Sequence, residues 1–146
     1  MRKRLIGIVF MAAAAGVAAQ PAGKAVMKPG LWEIVSVNET PGVAMKRTTT
    51  ARACYSADDV ANITRILPQQ RESGMKCESR EAKAQGATAT WKVVCTGKDG
   101  DLSGPAKMTM AADNYSAAVD LEHKKAGAKP VKVSQKVTAK WIGACK

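Results

Sequence analysis

Histidine is almost absent from this chain: His123 is the single one in 146 residues. A zinc site built on two histidines is thereby excluded, and any Ser-His or Cys-His nucleophilic pair would have to use that residue. Aromatic residues are scarce too, at three Trp, two Tyr and one Phe, too few to read as a stacking platform for single-stranded nucleic acid. Acids are in deficit, 12 Asp plus Glu against 23 Lys plus Arg, so the formal net charge is +11 and an acidic partner surface is one option. G-x-S-x-G, H-E-x-x-H and glycine-rich phosphate loops are all missing, which removes the common signatures of serine hydrolases, zinc proteases and nucleotide-binding enzymes. No apolar run reaches the length of a membrane span. At 46% hydrophobic and 24% charged, the composition still suits one ordinary globular domain better than a disordered chain.

What is present begins with an address. Arg2, Lys3 and Arg4 precede an apolar run from Leu5 to Ala15, and small residues then end in Val17-Ala18-Ala19. This three-part build is that of a secretory signal peptide, with Val17 and Ala19 at the positions a signal peptidase reads, so cleavage is expected after Ala19. Residues 1–19 form the signal, 20–28 a flexible linker and 29–146 a single domain, still basic after three cations are lost. The expected location is the periplasm.

All four cysteines, Cys54, Cys77, Cys95 and Cys145, follow the cut. An even count in an oxidising compartment predicts two disulfides, and no C-x-x-C pair suggests a metal site. Cys77 and Cys95 lie equidistant from Gly86, so in a hairpin centred there they face each other at a separation a disulfide can span. Cys54 would then join Cys145. A one-residue change in the turn would break the match, so counting alone leaves the rival pairings open.

Alternation of apolar and polar residues predicts strands along most of the domain. Trp32 and Ile34 share a face, Pro41-Gly42 marks a type II turn, and Met45 to Cys54 reads as the returning strand. Ala89, Trp91, Val93 and Cys95 share a face, as do Met108 and Met110, and then Tyr115, Ala117, Val119, Leu121 and His123. Val131, Val133, Val137, Ala139 and Trp141 alternate with Lys132, Ser134, Lys136, Thr138 and Lys140, one face core and one cationic. Ser56 with Asp59 starts the one convincing helix, whose Val60, Ile63 and Leu67 run until Pro68. The expected fold is α+β and mainly β: a curved antiparallel meander or partial barrel of about six or seven strands with one short helix.

The candidate ligand-lining residues are Trp32, Trp91, Met108 and Met110, with ordinary core packing as the competing reading. Lys132, Lys136 and Lys140 are candidates for contact with an anionic envelope surface, although a solvated face, or an edge strand guarded by lysines, is the simpler reading of the same pattern. His123, beside Lys124 and Lys125, reads as incidental at an exposed strand end. A soft copper(I) site could draw on Met108 and Met110, with Met45, Met75 and His123 elsewhere, but methionine at alternate strand positions is usually packing. Asp58-Asp59 reads as a helix cap. No cofactor, metal or catalytic residue is expected, nor nucleic acid or a transmembrane span. The expectation is a monomeric, non-enzymatic domain that binds an apolar or amphipathic ligand or an envelope partner; an interaction protein working through its lysine strand is the alternative, and a small periplasmic enzyme comes third.

Pro29-Gly30-Leu31-Trp32-Glu33 after a signal peptide, Cys54 before a short helix, Cys77, Trp91 with Cys95, and a terminal Trp141-Ile142-Gly143-Ala144-Cys145 resemble the secreted proteobacterial family known as domain of unknown function 3617. The resemblance runs from about Lys28 to Lys146. It implies a periplasmic β-rich domain and brings no activity, cofactor or catalytic residue with it.

Overall fold

Period-two alternation is realised as strands wherever it occurs. In a computed structural model describing residues 26–67 and 74–146, these are β1 (Gly30–Glu39), β2 (Arg47–Tyr55), β3 (Met75–Gln85), β4 (Thr88–Gly97), β5 (Gly100–Met110), β6 (Asn114–Lys124) and β7 (Val131–Gly143). The signal sequence, its cut, residues 20–25 of the linker and Pro68 lie outside the described residues. All seven strands form one antiparallel open sheet in the order β2-β1-β7-β6-β5-β4-β3. The α+β, mainly β meander with one short helix and two disulfides is therefore found, with β2 and β3 as its unjoined edges. The sheet curls strongly: Arg47 on one edge strand and Met75 on the other line a common recess.

The strand order corrects one expectation. β7 lies between β1 and β6, so Lys132, Lys136 and Lys140 do not guard an edge. They stand on the outer face of an interior strand, with Glu122 opposite Lys132 and Glu33 opposite Lys140.

The first hairpin turns at Pro41-Gly42, where the Val43 amide donates to the Thr40 carbonyl over 3.1 Å and Gly42 takes φ 84°, the left-handed value of a type II turn. β2 starts at Arg47, two residues beyond the expected Met45, and ends at Tyr55. In the central hairpin the last pair is Gln85 with Thr88, so the turn is Gly86-Ala87 rather than centred on Gly86. Between the pairs Arg80–Lys92 and Lys83–Thr90, two residues of β3 oppose Trp91 alone. This β-bulge, with Glu81 at φ 54°, restores the register and sets Cys77 opposite Cys95. Both expected disulfides, Cys77–Cys95 and Cys54–Cys145, are formed.

The helix is shorter than its apolar spacing suggests. Ser56 caps α1 (Ala57–Ala61) in a capping box with Asp59, but the chain leaves the helix at Asn62 (φ −118°, ψ 86°) and continues as a 3-10 turn over Ile63–Arg65. Asn62, Ile63 and Thr64 are all poor helix formers, and the Thr64 hydroxyl donates to Asn62 Oδ1 over 2.6 Å, a local bond that competes with helical continuation. The break lets Ile66 and Leu67 bury beside Val60 in the same core as Trp32.

The first and last segments of the domain meet at this end of the sheet. Trp32 Nε1 donates to the Lys28 carbonyl and Trp141 Nε1 to that of Pro29, each over 3.1 Å, while the Lys28 amide donates to Ala112. Met27 is already buried, two residues ahead of Pro29. Gly30 has φ 139°, and a Cβ there would overlap the Gly143 carbonyl and Trp141 Nε1. The Pro-Gly-Leu-Trp and Trp-Ile-Gly-Ala-Cys segments are thus two halves of one latch, closed by Cys54–Cys145.

Candidate functional site: the concave face

Register assigns every strand residue to the inner or outer face of the curved sheet. On the inner face lie Trp32, Ile34, Ser36 and Asn38 of β1, opposite Ala53, Ala51, Thr49 and Arg47 of β2 and Trp141, Ala139, Val137 and Gln135 of β7. Tyr115, Ala117, Val119, Leu121 and His123 continue it on β6, then Met110, Met108, Ala106 and Leu102 on β5. The strand lysines, aspartates and glutamates take the outer face, with Glu81 set at the bulge. Apart from two tyrosines, the ionisable side chains that the strands turn inward are Arg47 and His123.

The inner face is filled unevenly. Beneath β4, β5 and β6 it is solid, with Val93, Met108 and Val119 fully enclosed, as are Trp32 at the start of β1 and Val137 of β7. Beneath β1 and β2 it is not: Ile34, Ser36, Asn38 and Ala53 are only half-buried, and Arg47, Thr49 and Ala51 are exposed. Two recesses of about 420 Å³ each occupy this strip and share Gln135. The one towards the helix is lined by Ile34, Ala51, Ala53, Val137, Tyr55, Tyr115 and the Arg65-Ile66-Leu67 segment. The other, at the opposite end of the strands, is lined by Asn38, Arg47, His123, Met75, Leu102, Leu121 and Val133, with Val43 and Met45 of the β1–β2 loop. These last two expose 58% and 83% of their surface, an apolar rim at the mouth of a recess whose walls include no carboxylate.

At the helix end the Tyr55 and Tyr115 hydroxyls are 3.4 Å apart and their rings flank Trp32, at 6.2 and 5.7 Å between centroids. Burial pushes both phenols up, Tyr115 the further, since its bond to Tyr55 adds to the desolvation. They stay neutral over any physiological pH. Arg65, also at this recess, is 3.8 Å from Asp59, whose carboxyl is held below its usual range by the Ser56 hydroxyl and amide.

Of the candidate lining residues, Trp32, Met108, Met110 and Trp91 are all buried in the core, and none lines either concave recess. The Trp91 indole N–H is enclosed without a hydrogen-bond partner. His123 is half-buried and paired within the ladder, opposite Leu102 and Val131, rather than at a frayed end. Met45, Met75 and His123 do reach one recess, away from the enclosed Met108 and Met110, but the Arg47 guanidinium in the same walls opposes a copper cation there. Among the described residues no group of three His, Cys, Asp or Glu side chains could hold a metal ion, and no helix is long and apolar enough to cross a membrane. Arg47, Asn38 and Gln135 were not singled out from the sequence, although extending the alternation from Trp32 and back from Tyr55 places Asn38 and Arg47 on the inner face.

Neither the curated proteins nor the solved structures contain a match to this chain. The chain matches a family model described as "Protein of unknown function (DUF3617)" over residues 27–145, from the buried Met27 to the Cys145 of the terminal disulfide. The segments that carried the resemblance are those that build the latch and the two bridges, and the chain belongs to the DUF3617 family.

Proposed function

We propose that this chain is a periplasmic, non-enzymatic binding domain that holds an amphipathic small molecule against the concave face of its sheet. The observation that carries the reading is the unfilled strip under β1 and β2, with its two adjoining recesses of about 420 Å³ each, within the range of small-molecule sites. Apolar walls at the helix end and polar groups at the other suit a molecule with two ends of different character. Arg47, His123, Asn38 and Gln135 are groups that hold and orient a polar head.

The compartment belongs to the same proposal. Residues 1–19 are read as a signal cleaved after Ala19, and two disulfides in the domain suit an oxidising environment. The lysine strip is the weaker alternative, because acids interleave it: Glu33 faces Lys140, Glu122 faces Lys132, and Glu39 and Asp120 both pair with Ser134 between them.

The test uses the neutral fluorophore N-phenyl-1-naphthylamine, which brightens when it leaves water. The mature protein should enhance its emission saturably, and Ala51→Trp, which puts an indole into the strip, should reduce that enhancement at least fivefold while both disulfides and the circular dichroism spectrum persist. Unchanged enhancement in Ala51→Trp, or none with the wild-type protein, contradicts a concave-face site.

A further inference from the structure

We infer that the ligand of the concave face is an anionic amphiphile, a long hydrocarbon chain ending in a carboxylate or a similar acid, with its head at Arg47 and His123 and its chain towards α1. The inference rests on the concave-face reading and adds the ligand's charge and direction.

Charge comes first. Strand alternation places the acids of the strands on the outer face and leaves Arg47 and His123 facing in, where both line one recess. Arg47 belongs to none of the ion pairs among the described residues. Across the ladder it faces Asn38, so an amide group that can donate hydrogen bonds stands next to the guanidinium. A planar guanidinium beside a carboxamide and an imidazole is a donor-rich setting that matches an acid head. A cationic head would meet uncompensated like charge, and a neutral one would leave the guanidinium unused.

Direction follows from the strands. From Arg47 to Ala53 the β2 backbone advances about 20 Å, and the inner-face residues along that path change from Arg47 and Thr49 to Ala51 and Ala53, with Ile34 and Val137 across from them in the helix-end recess. A hydrocarbon chain laid along it would cover the half-buried Ile34 and Ala53. The exposed Val43 and Met45 stand at the head end, placed to fold over the first methylene groups.

Displacement of N-phenyl-1-naphthylamine from the mature protein by three ligands of equal chain length tests this. Dodecanoate should displace it at a concentration at least about tenfold lower than dodecan-1-ol or dodecyltrimethylammonium. Arg47→Gln, an exposed-site change that keeps hydrogen-bonding capacity, should weaken dodecanoate about tenfold and leave dodecan-1-ol within twofold. Equal potency of the three ligands, or an equal loss for acid and alcohol in Arg47→Gln, overturns the anionic assignment while leaving the concave site in place. Failure of all three to displace the fluorophore overturns both.

Discussion

Cys77 stands directly opposite Cys95 because the bulge at Glu81 and Ala82 takes up the register shift that the two-residue Gly86-Ala87 turn introduces. Without it the ladder that runs from Gln85–Thr88 would set Glu78 against Cys95 and leave Cys77 on the opposite face of the sheet. Deleting Ala82 should therefore leave Cys77 and Cys95 as free thiols in protein oxidised during export, two per molecule by thiol titration under denaturing conditions. A fully bridged deletion variant would show that the bulge does not set the register.

Glu81 holds φ 54°, a region that costs a residue bearing a Cβ about 1 kcal/mol relative to glycine. Glu81→Gly should raise the melting temperature by a few degrees with both disulfides intact. A lower melting temperature would mean that the Glu81 side chain contributes more than its backbone costs.

The two bridges close loops of very different length, with sequence separations of 91 and 18. Loop-closure entropy assigns about 4.5 kcal/mol to Cys54–Cys145 and about 3 kcal/mol to Cys77–Cys95. Denaturant unfolding of Cys54→Ala/Cys145→Ala and Cys77→Ala/Cys95→Ala should accordingly show the larger loss for the terminal bridge. The reverse order would place the latch's stability in Gly30, Trp32 and Trp141 rather than in its disulfide.

Gly104 lies inside β5, where a Cβ would overlap the Asp120 carbonyl, and the β5–β6 pairing is interrupted over Gly104 and Pro105. Gly104→Ala should cost about 2 kcal/mol or more through forced backbone displacement, read as a fall in the urea midpoint. A change below about 0.5 kcal/mol would mean that the two strands separate freely at this point.

Tyr55 and Tyr115 have raised phenolic pKa values in the folded protein. Their contribution is therefore complete below the unfolded value of about 10 and is lost as pH rises above it, since only the unfolded chain ionises readily there. Stability should be flat through neutral pH and fall above about pH 10, and Tyr115→Phe should flatten that alkaline fall while changing stability at pH 7 by only about 1 kcal/mol. An unaltered alkaline limb in Tyr115→Phe would assign the loss to other groups.

Much of the fold was legible because period-two alternation is a strong signal. Tyr115 to His123 and Val131 to Trp141 took the faces their spacing required, and the cysteine symmetry about Gly86 named the right partners although the turn itself sits half a residue away. The helix was overread, because Val60, Ile63 and Leu67 have helical spacing while the local chemistry of Asn62 and Thr64, which ends the helix, is invisible to a hydrophobic pattern. The lysine strand was read as a possible edge because sequence order does not reveal that the last strand inserts between the first and the sixth. The candidate site was legible least. Large apolar residues such as Trp32 and Met108 are conspicuous in a sequence and turn out to fill the core, whereas the open strip along β1 and β2 is lined by small or polar residues, Ala51, Ser36, Asn38 and Arg47, that border a recess only once the sheet curls.

The most direct test of the concave-face account is native mass spectrometry of the protein purified after export, without detergent and without reductant. The account predicts a species beginning at Gln20, four protons lighter than its reduced form, carrying one non-covalent amphiphile that is released on denaturation and replaced one-for-one by added dodecanoate. A protein that emerges bare and still takes up no dodecanoate at a hundredfold excess would contradict it.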